Sequence, residues 1–162
     1  MTHKSLAPGI GLDLAQAAHG AGLPSGMMTA LLYPKRRVLV GAGDGGLMIN
    51  SQELETARRM NLNLVVLIME DQAYGMIPWK QAVDGFADWG LTFGNPDFVA
   101  YAAAYGARGR RVTTASGLAP ALEEAFSAGG LHLIVVPIDY RCVTSFPTTC
   151  SCRIGYGVNQ RI

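Results

Sequence analysis

Two acidic positions each follow an apolar run. Asp44 lies in Gly43-Asp44-Gly45-Gly46, after Val38-Leu39-Val40. Asp71 lies in Glu70-Asp71-Gln72-Ala73-Tyr74-Gly75, after Leu64-Val65-Val66-Leu67-Ile68-Met69. Such runs read as buried strands, and in an open α/β sheet ligands bind at the carboxyl ends of strands. Carboxylates on neighbouring strand ends are oxygen ligands for a hard cation. Glycines beside Asp44 permit unusual backbone angles and clear side chains from the path of a phosphate. A helix starting there would aim free N–H groups at an anion. Asp44 and a phosphate repel each other unless a divalent cation lies between them. Mg²⁺ usually sits on one or two carboxylates plus substrate phosphates. The pair of sites therefore points to a cation holding a diphosphate. A GDGG turn by itself would not, because glycine–aspartate turns are common in loops, and spacing does not name the ligand.

The elements that must position these acids follow from pattern and punctuation. Residues 12–32 read as mostly helical, interrupted near Gly20-Ala21-Gly22-Leu23-Pro24, with Pro24 in the first turn of the second piece. Residues 37–41 form a short strand. Residues 51–60 form a helix reached through the glycine turn, with Glu53 and Glu55 near its start and Arg58 and Arg59 near its end, as the helix dipole favours. Residues 64–69 form a second strand, continuously apolar as in a parallel sheet covered on both faces. Residues 74–95 read as a long loop with one or two short turns, of a length that is usually functional. Asn95 is expected to cap the next helix, with Pro96 at its first position, Phe98, Tyr101, Ala102 and Tyr105 on one face, and Gly106 at its end. A strand at 108–112, a helix capped by Ser116 and ended by Gly129-Gly130, and a strand at 131–138 complete the pattern. This alternation predicts an α/β fold, a three-layer α/β/α arrangement with a mainly parallel sheet. Residues 1–12 read as a loose arm, 13–140 as the binding domain and 141–162 as an irregular tail.

At 162 residues, one domain is expected. The net charge of +1 offers no basic face for nucleic acid. Charged residues make up 15%, against roughly 25% in a typical soluble domain, and hydrophobic residues 49%. That balance fits a well-filled core, or a surface covered by another domain or subunit. No apolar run approaches the roughly 20 residues that span a bilayer, and Met1-Thr2-His3-Lys4-Ser5 lacks a signal peptide's apolar core. A cytoplasmic location is expected. Cys142, Cys150 and Cys152 match neither a zinc site nor a disulfide framework.

The chain also resembles a known family. GAGLPSGM (20–27), GDGGLMINSQELETA (43–57), LNLVVLIMEDQAYGMIPWKQ (62–81), FGNPDFVAYAAAYGA (93–107) and HLIVVPIDY (132–140) resemble the C-terminal, diphosphate-binding domain of thiamine diphosphate (ThDP) enzymes, especially the acetolactate synthase-like group. The resemblance implies ThDP and Mg²⁺ as cofactors. The cation would be bound by the Asp44 and Asp71 side chains and the Ala73 carbonyl. The cofactor would lie against Gly43, Asp44, Gly45, Gly46, Asp71, Ala73, Tyr74, Gly75 and Met76. It implies decarboxylation of a 2-oxo acid, with carboligation, in a homo-oligomer whose pyrimidine-binding domain or subunit supplies the glutamate that protonates the aminopyrimidine.

No catalytic residue is assigned here, since Glu53, Glu55, Glu123 and Glu124 read as exposed helix charges. Two departures stand out. Glu70-Asp71 replaces an Asn-Asn-like pair, with Glu70 expected to face away from the cation. His19 lies near where the family places a large apolar residue that bends ThDP, and it is expected to be structural. The chain is expected to be truncated and inactive alone; the alternatives are a subunit of a split enzyme or a non-catalytic remnant. Trp79, Trp89, Phe86 and Phe93 are expected to pack within the long loop, or to form a substrate-side lid as the resemblance implies. Arg36-Arg37 and the arginines at 108, 110 and 111 are expected to be solvated.

Overall fold

The computed structural model describes residues 19–74, 77, 81, 83–87 and 89–139. The expected arm, the tail with all three cysteines, Trp79, Gly75 and Met76 lie outside those residues. The chain order is α1 (Gly22–Leu32), β1 (Leu39–Gly43), α2 (Asp44–Ile49), α3 (Glu53–Arg59), β2 (Leu64–Glu70), α4 (Phe98–Ala104), β3 (Arg108–Arg111), α5 (Ala115–Ala128) and β4 (Leu131–Pro137). The four strands pair in parallel in the order β1-β2-β4-β3.

Side-chain alternation along the central strands explains the layers. Leu64, Val66 and Ile68 of β2, with Leu131, Leu133 and Val135 of β4, join Leu23, Leu47, Leu54 and Phe98 from α1 to α4 in one core. Val65 of β2 and Ile134 and Val136 of β4 meet Ala121 and Ala125 of α5 in a second core on the opposite face. This is a three-layer α/β/α arrangement, as the continuous apolar strands predicted. Gly26 lets α1 lie against β1: a Cβ there would fall 2.0 Å from Val40 Cγ2. No helix among the described residues is long and apolar enough to cross a membrane.

Four local expectations are corrected. The first strand runs two residues later than 37–41, because its pairing with β2 continues to Gly43 opposite Met69. No glycine turn follows it. Asp44 is the first residue of α2, with Gly43 as N-cap at φ −69° and ψ 155°, and the chain breaks only at Asn50 before α3. Gly43, Gly45 and Gly46 all lie outside the left-handed region. The helix over 98–104 is capped by Asp97, whose Oδ1 accepts from Val99 N at 2.9 Å and Ala100 N at 3.3 Å. Asn95 lies outside that helix. Thr114 rather than Ser116 occupies the N-cap of α5, without a side-chain cap bond. Pro24 does fall in the first turn of α1, which ends at Tyr33 with its N–H on Thr29 O. In α3, Glu53 and Glu55 occupy the first turn and Arg58 and Arg59 the last.

Candidate functional site

The register that pairs Gly43 with Met69 brings the carboxyl ends of β1 and β2 side by side. Asp44 leaves the first strand directly into α2 and is buried, at 1% exposure. Its Oδ1 accepts from Gly45 N at 2.7 Å. Its Oδ2 accepts from Asp71 N at 3.1 Å, Gln72 N at 2.8 Å and Asn95 Nδ2 at 2.7 Å. The two sequence-predicted acids therefore meet at one end of the sheet, joined through the backbone of the second strand end.

Asp71 follows β2 and is partly buried, with its Oδ1 accepting from Ala73 N at 3.3 Å. Its carboxyl is pushed up from 3.8 to about 6. Burial is the main cause; the neighbouring Asp44 adds to it, and the Ala73 N–H acts in the opposite direction. Gln72 sits in the left-handed region at φ 58°, which turns the chain back over α2. Ala73 then pairs with Thr92 in an isolated antiparallel bridge. Phe93 N donates to Gln72 O at 3.0 Å and Tyr74 N to Leu91 O at 3.1 Å. Tyr74 and Phe93 pack ring to ring, with centroids 4.9 Å apart. Both lie over Gly45, where a Cβ would fall 2.7 Å from Tyr74 Cε1 and 3.0 Å from Phe93 Cζ. Space for these rings, not backbone freedom, is what requires glycine at 45. His19 is exposed and meets Tyr74 edge-on at 5.8 Å.

Glu70 closes β2, one residue before Asp71. It is buried at 8% exposure, and its carboxylate takes both Nη1 and Nη2 of Arg111 from β3. Hydrogen bonding to Glu70 raises the Arg111 guanidinium further above its ordinary range. The expectation that Arg111 is merely solvated is corrected: β4 separates β2 from β3, and the arginine reaches across it. Arg110 and Arg37 form exposed pairs with Glu124 and Glu123. Trp89 and Phe86 are exposed at 84% and 68%, so neither packs within the loop.

Among the described residues, no three His, Cys, Asp or Glu side chains gather as a metal cluster. A cage of protein ligands is therefore not what Asp44 and Asp71 build. Two carboxylates beside a diphosphate is the donor set that suits Mg²⁺. The residues present fit such an ion. Sequence reasoning missed Asn95 as a partner of Asp44. The signal available was the second cap-type residue, Asp97, two positions on.

Residues 9–136 match the family model described as the C-terminal TPP binding domain of thiamine pyrophosphate enzymes. The chain belongs to this family of ThDP enzymes. It is 36% identical over 126 residues to a catabolic acetolactate synthase of Raoultella terrigena, covering 78% of this chain and 22% of that protein. It is 36% identical over 121 residues to an acetolactate synthase of Bacillus subtilis strain 168, covering 75% and 21%. The chain thus spans about a fifth of the length of these relatives. Among solved structures, benzoylformate decarboxylase from Polynucleobacter necessarius superposes with a TM-score of 0.69 at 28% identity, over 74% of this chain and 23% of that one. The chain is a ThDP-binding C-terminal domain of the acetolactate synthase-like group, with the α/β fold that its sequence predicted.

Proposed function

We propose that this chain anchors the diphosphate end of ThDP through Mg²⁺, within an acetolactate synthase-like enzyme that decarboxylates a 2-oxo acid and joins the product to an acceptor. The Asp44 and Asp71 side chains and the Ala73 carbonyl hold the cation. Gly43, Gly45, Gly46, Tyr74, Gly75 and Met76 border the cofactor. The observation that carries this reading is the placement of buried Asp44 against the backbone of Asp71 and Gln72. Gly45 N is already engaged by Asp44 Oδ1, so the cation carries more of the anchoring than α2's first turn.

ThDP supplies the carbanion chemistry when bound, and the protein supplies orientation. Residues 19–139 hold one end of the cofactor, and the part that protonates the aminopyrimidine comes from another segment or another chain. An apolar surface supports docking of such a part, or homo-oligomerisation: Met28, Leu31 and Leu32 of α1, Tyr33 after it, and Leu39 on edge strand β1 are all exposed. The 162-residue chain alone is expected to leave pyruvate untouched, and carbon dioxide release by it above background would contradict this. A cytoplasmic setting suits the reading.

Titration calorimetry tests the anchoring. ThDP should bind the chain with Mg²⁺ and bind much more weakly after chelation. Asp44→Ala should abolish the Mg²⁺-dependent part, because one carboxylate under-coordinates the ion. Equal binding by parent and variant would refute the assignment.

A further inference from the structure

Asn95 approaches the proposed cation site from a distant part of the chain. This inference rests on that site and adds a residue to it. Asn95 Nδ2 donates to Asp44 Oδ2 at 2.7 Å. That oxygen also accepts from Asp71 N and Gln72 N. Two carboxylate oxygens offer about four lone-pair sites between them. Three donors therefore crowd Oδ2, whereas Oδ1 accepts only from Gly45 N among the described residues. Oδ1 is the oxygen with room for a cation.

The asparagine is placed for this work and for nothing else described. Asp97 caps α4 in its stead. Pro96 biases the residue before it toward an extended backbone and away from helix. The adjoining loop is tied down by the Ala73–Thr92 bridge and by Phe93 N on Gln72 O. The side chain's orientation follows from its neighbours: reversing the amide would set its oxygen against Asp44 Oδ2, acceptor facing acceptor. In the orientation present, Asn95 Oδ1 is buried with no partner among the described residues. Buried polar atoms left without a partner are uncommon and call for an explanation. Mg²⁺ characteristically keeps several of its waters, and such a water is a donor of the kind Oδ1 lacks.

We infer that Asn95 is a positioning residue of the cation site. Its amide nitrogen fixes Asp44 so that Oδ1 is free to ligate. Its unpartnered oxygen is the acceptor left for a water that the ion carries.

The test is a Mn²⁺ titration of the full chain with ThDP, followed by electron paramagnetic resonance, with Mn²⁺–ThDP without protein as the blank. Asn95→Ala should raise the Mn²⁺ Kd roughly 10–100-fold, the usual loss when a residue that orients a ligand is removed. Partial unfolding would lower the number of sites and leave their Kd unchanged, whereas the inference requires the Kd itself to rise. Asn95→Leu, nearer the amide in volume, carries the same expectation should the alanine variant not fold. Asp44→Ala is run alongside. Were it to bind Mn²⁺ like the parent, the cation site itself would be wrong. Loss of binding in Asp44→Ala with a parental Kd in both Asn95 variants would overturn the inference alone.

Discussion

Asp44 and Glu70 sit at the ends of adjacent strands, both buried, and the fold treats their charges in opposite ways. Glu70 receives a guanidinium: Arg111 reaches across β4 and makes two contacts with its carboxylate. Asp44 receives four N–H groups and no cation among the described residues. Dipoles stabilise a buried carboxylate without cancelling it; next door, burial pushes the Asp71 carboxyl up to about 6 and Asp44 adds to the rise. Net negative charge is thus left at one strand end and removed from the other. A protein cation closes Glu70, whereas N–H dipoles alone surround Asp44 among the described residues, and the proposed Mg²⁺ would supply the missing charge there.

Removing Arg111 should make Glu70 resemble Asp44, with no ligand to correct it. Breaking a fully buried pair costs about 3–5 kcal/mol. The Arg111 side chain is 37% exposed, so water replaces part of what is lost, and Arg111→Ala should cost roughly 1–3 kcal/mol. At about 2–4 °C per kcal/mol for a chain of this size, calorimetry should show a clear fall in Tm. Glu70→Gln with Arg111→Leu should recover much of it, because neither charge is then stranded. A double variant no more stable than Arg111→Ala would mean that the pair's charge is not what matters there.

A smaller effect sharpens the other side of the contrast. The folded chain holds the Asp71 proton more tightly than the unfolded chain, where the carboxyl titrates near 3.8. Its contribution to the metal-free fold is therefore full below pH 3.8 and is lost as pH rises through about 6. Asp71→Asn, which keeps an oxygen for Ala73 N, should gain stability relative to the parent as pH rises from 4 to 7. Chemical denaturation in chelator at several pH values measures this. A constant difference between the two proteins would show that the fold does not hold the Asp71 proton more tightly than the unfolded chain.

The strands and their stacking were legible because β2 and β4 are apolar at nearly every position, as only strands covered on both faces are. The meeting of Asp44 and Asp71 was legible because each acid directly follows an apolar run. The first strand's limits were not, since Gly43 pairs only because Met69 lies opposite it. The backbone-freedom reading of the glycines failed for a related reason: Gly45 answers to Tyr74 and Phe93, which arrive from later in the chain. Asn95 before Pro96 looks the same in sequence whether it caps a helix or holds Asp44. Arg111 looks solvated until the strand order places Glu70 within its reach.

The central claim is that Asp44 and Asp71 share one divalent cation with a diphosphate. Anomalous diffraction from crystals of the chain grown with ThDP and Mn²⁺ tests it most directly. A single strong peak is expected between the Asp44 and Asp71 carboxylates, within direct ligand distance of both, with diphosphate density against it. Ordered ThDP with no metal peak at these two side chains would contradict it.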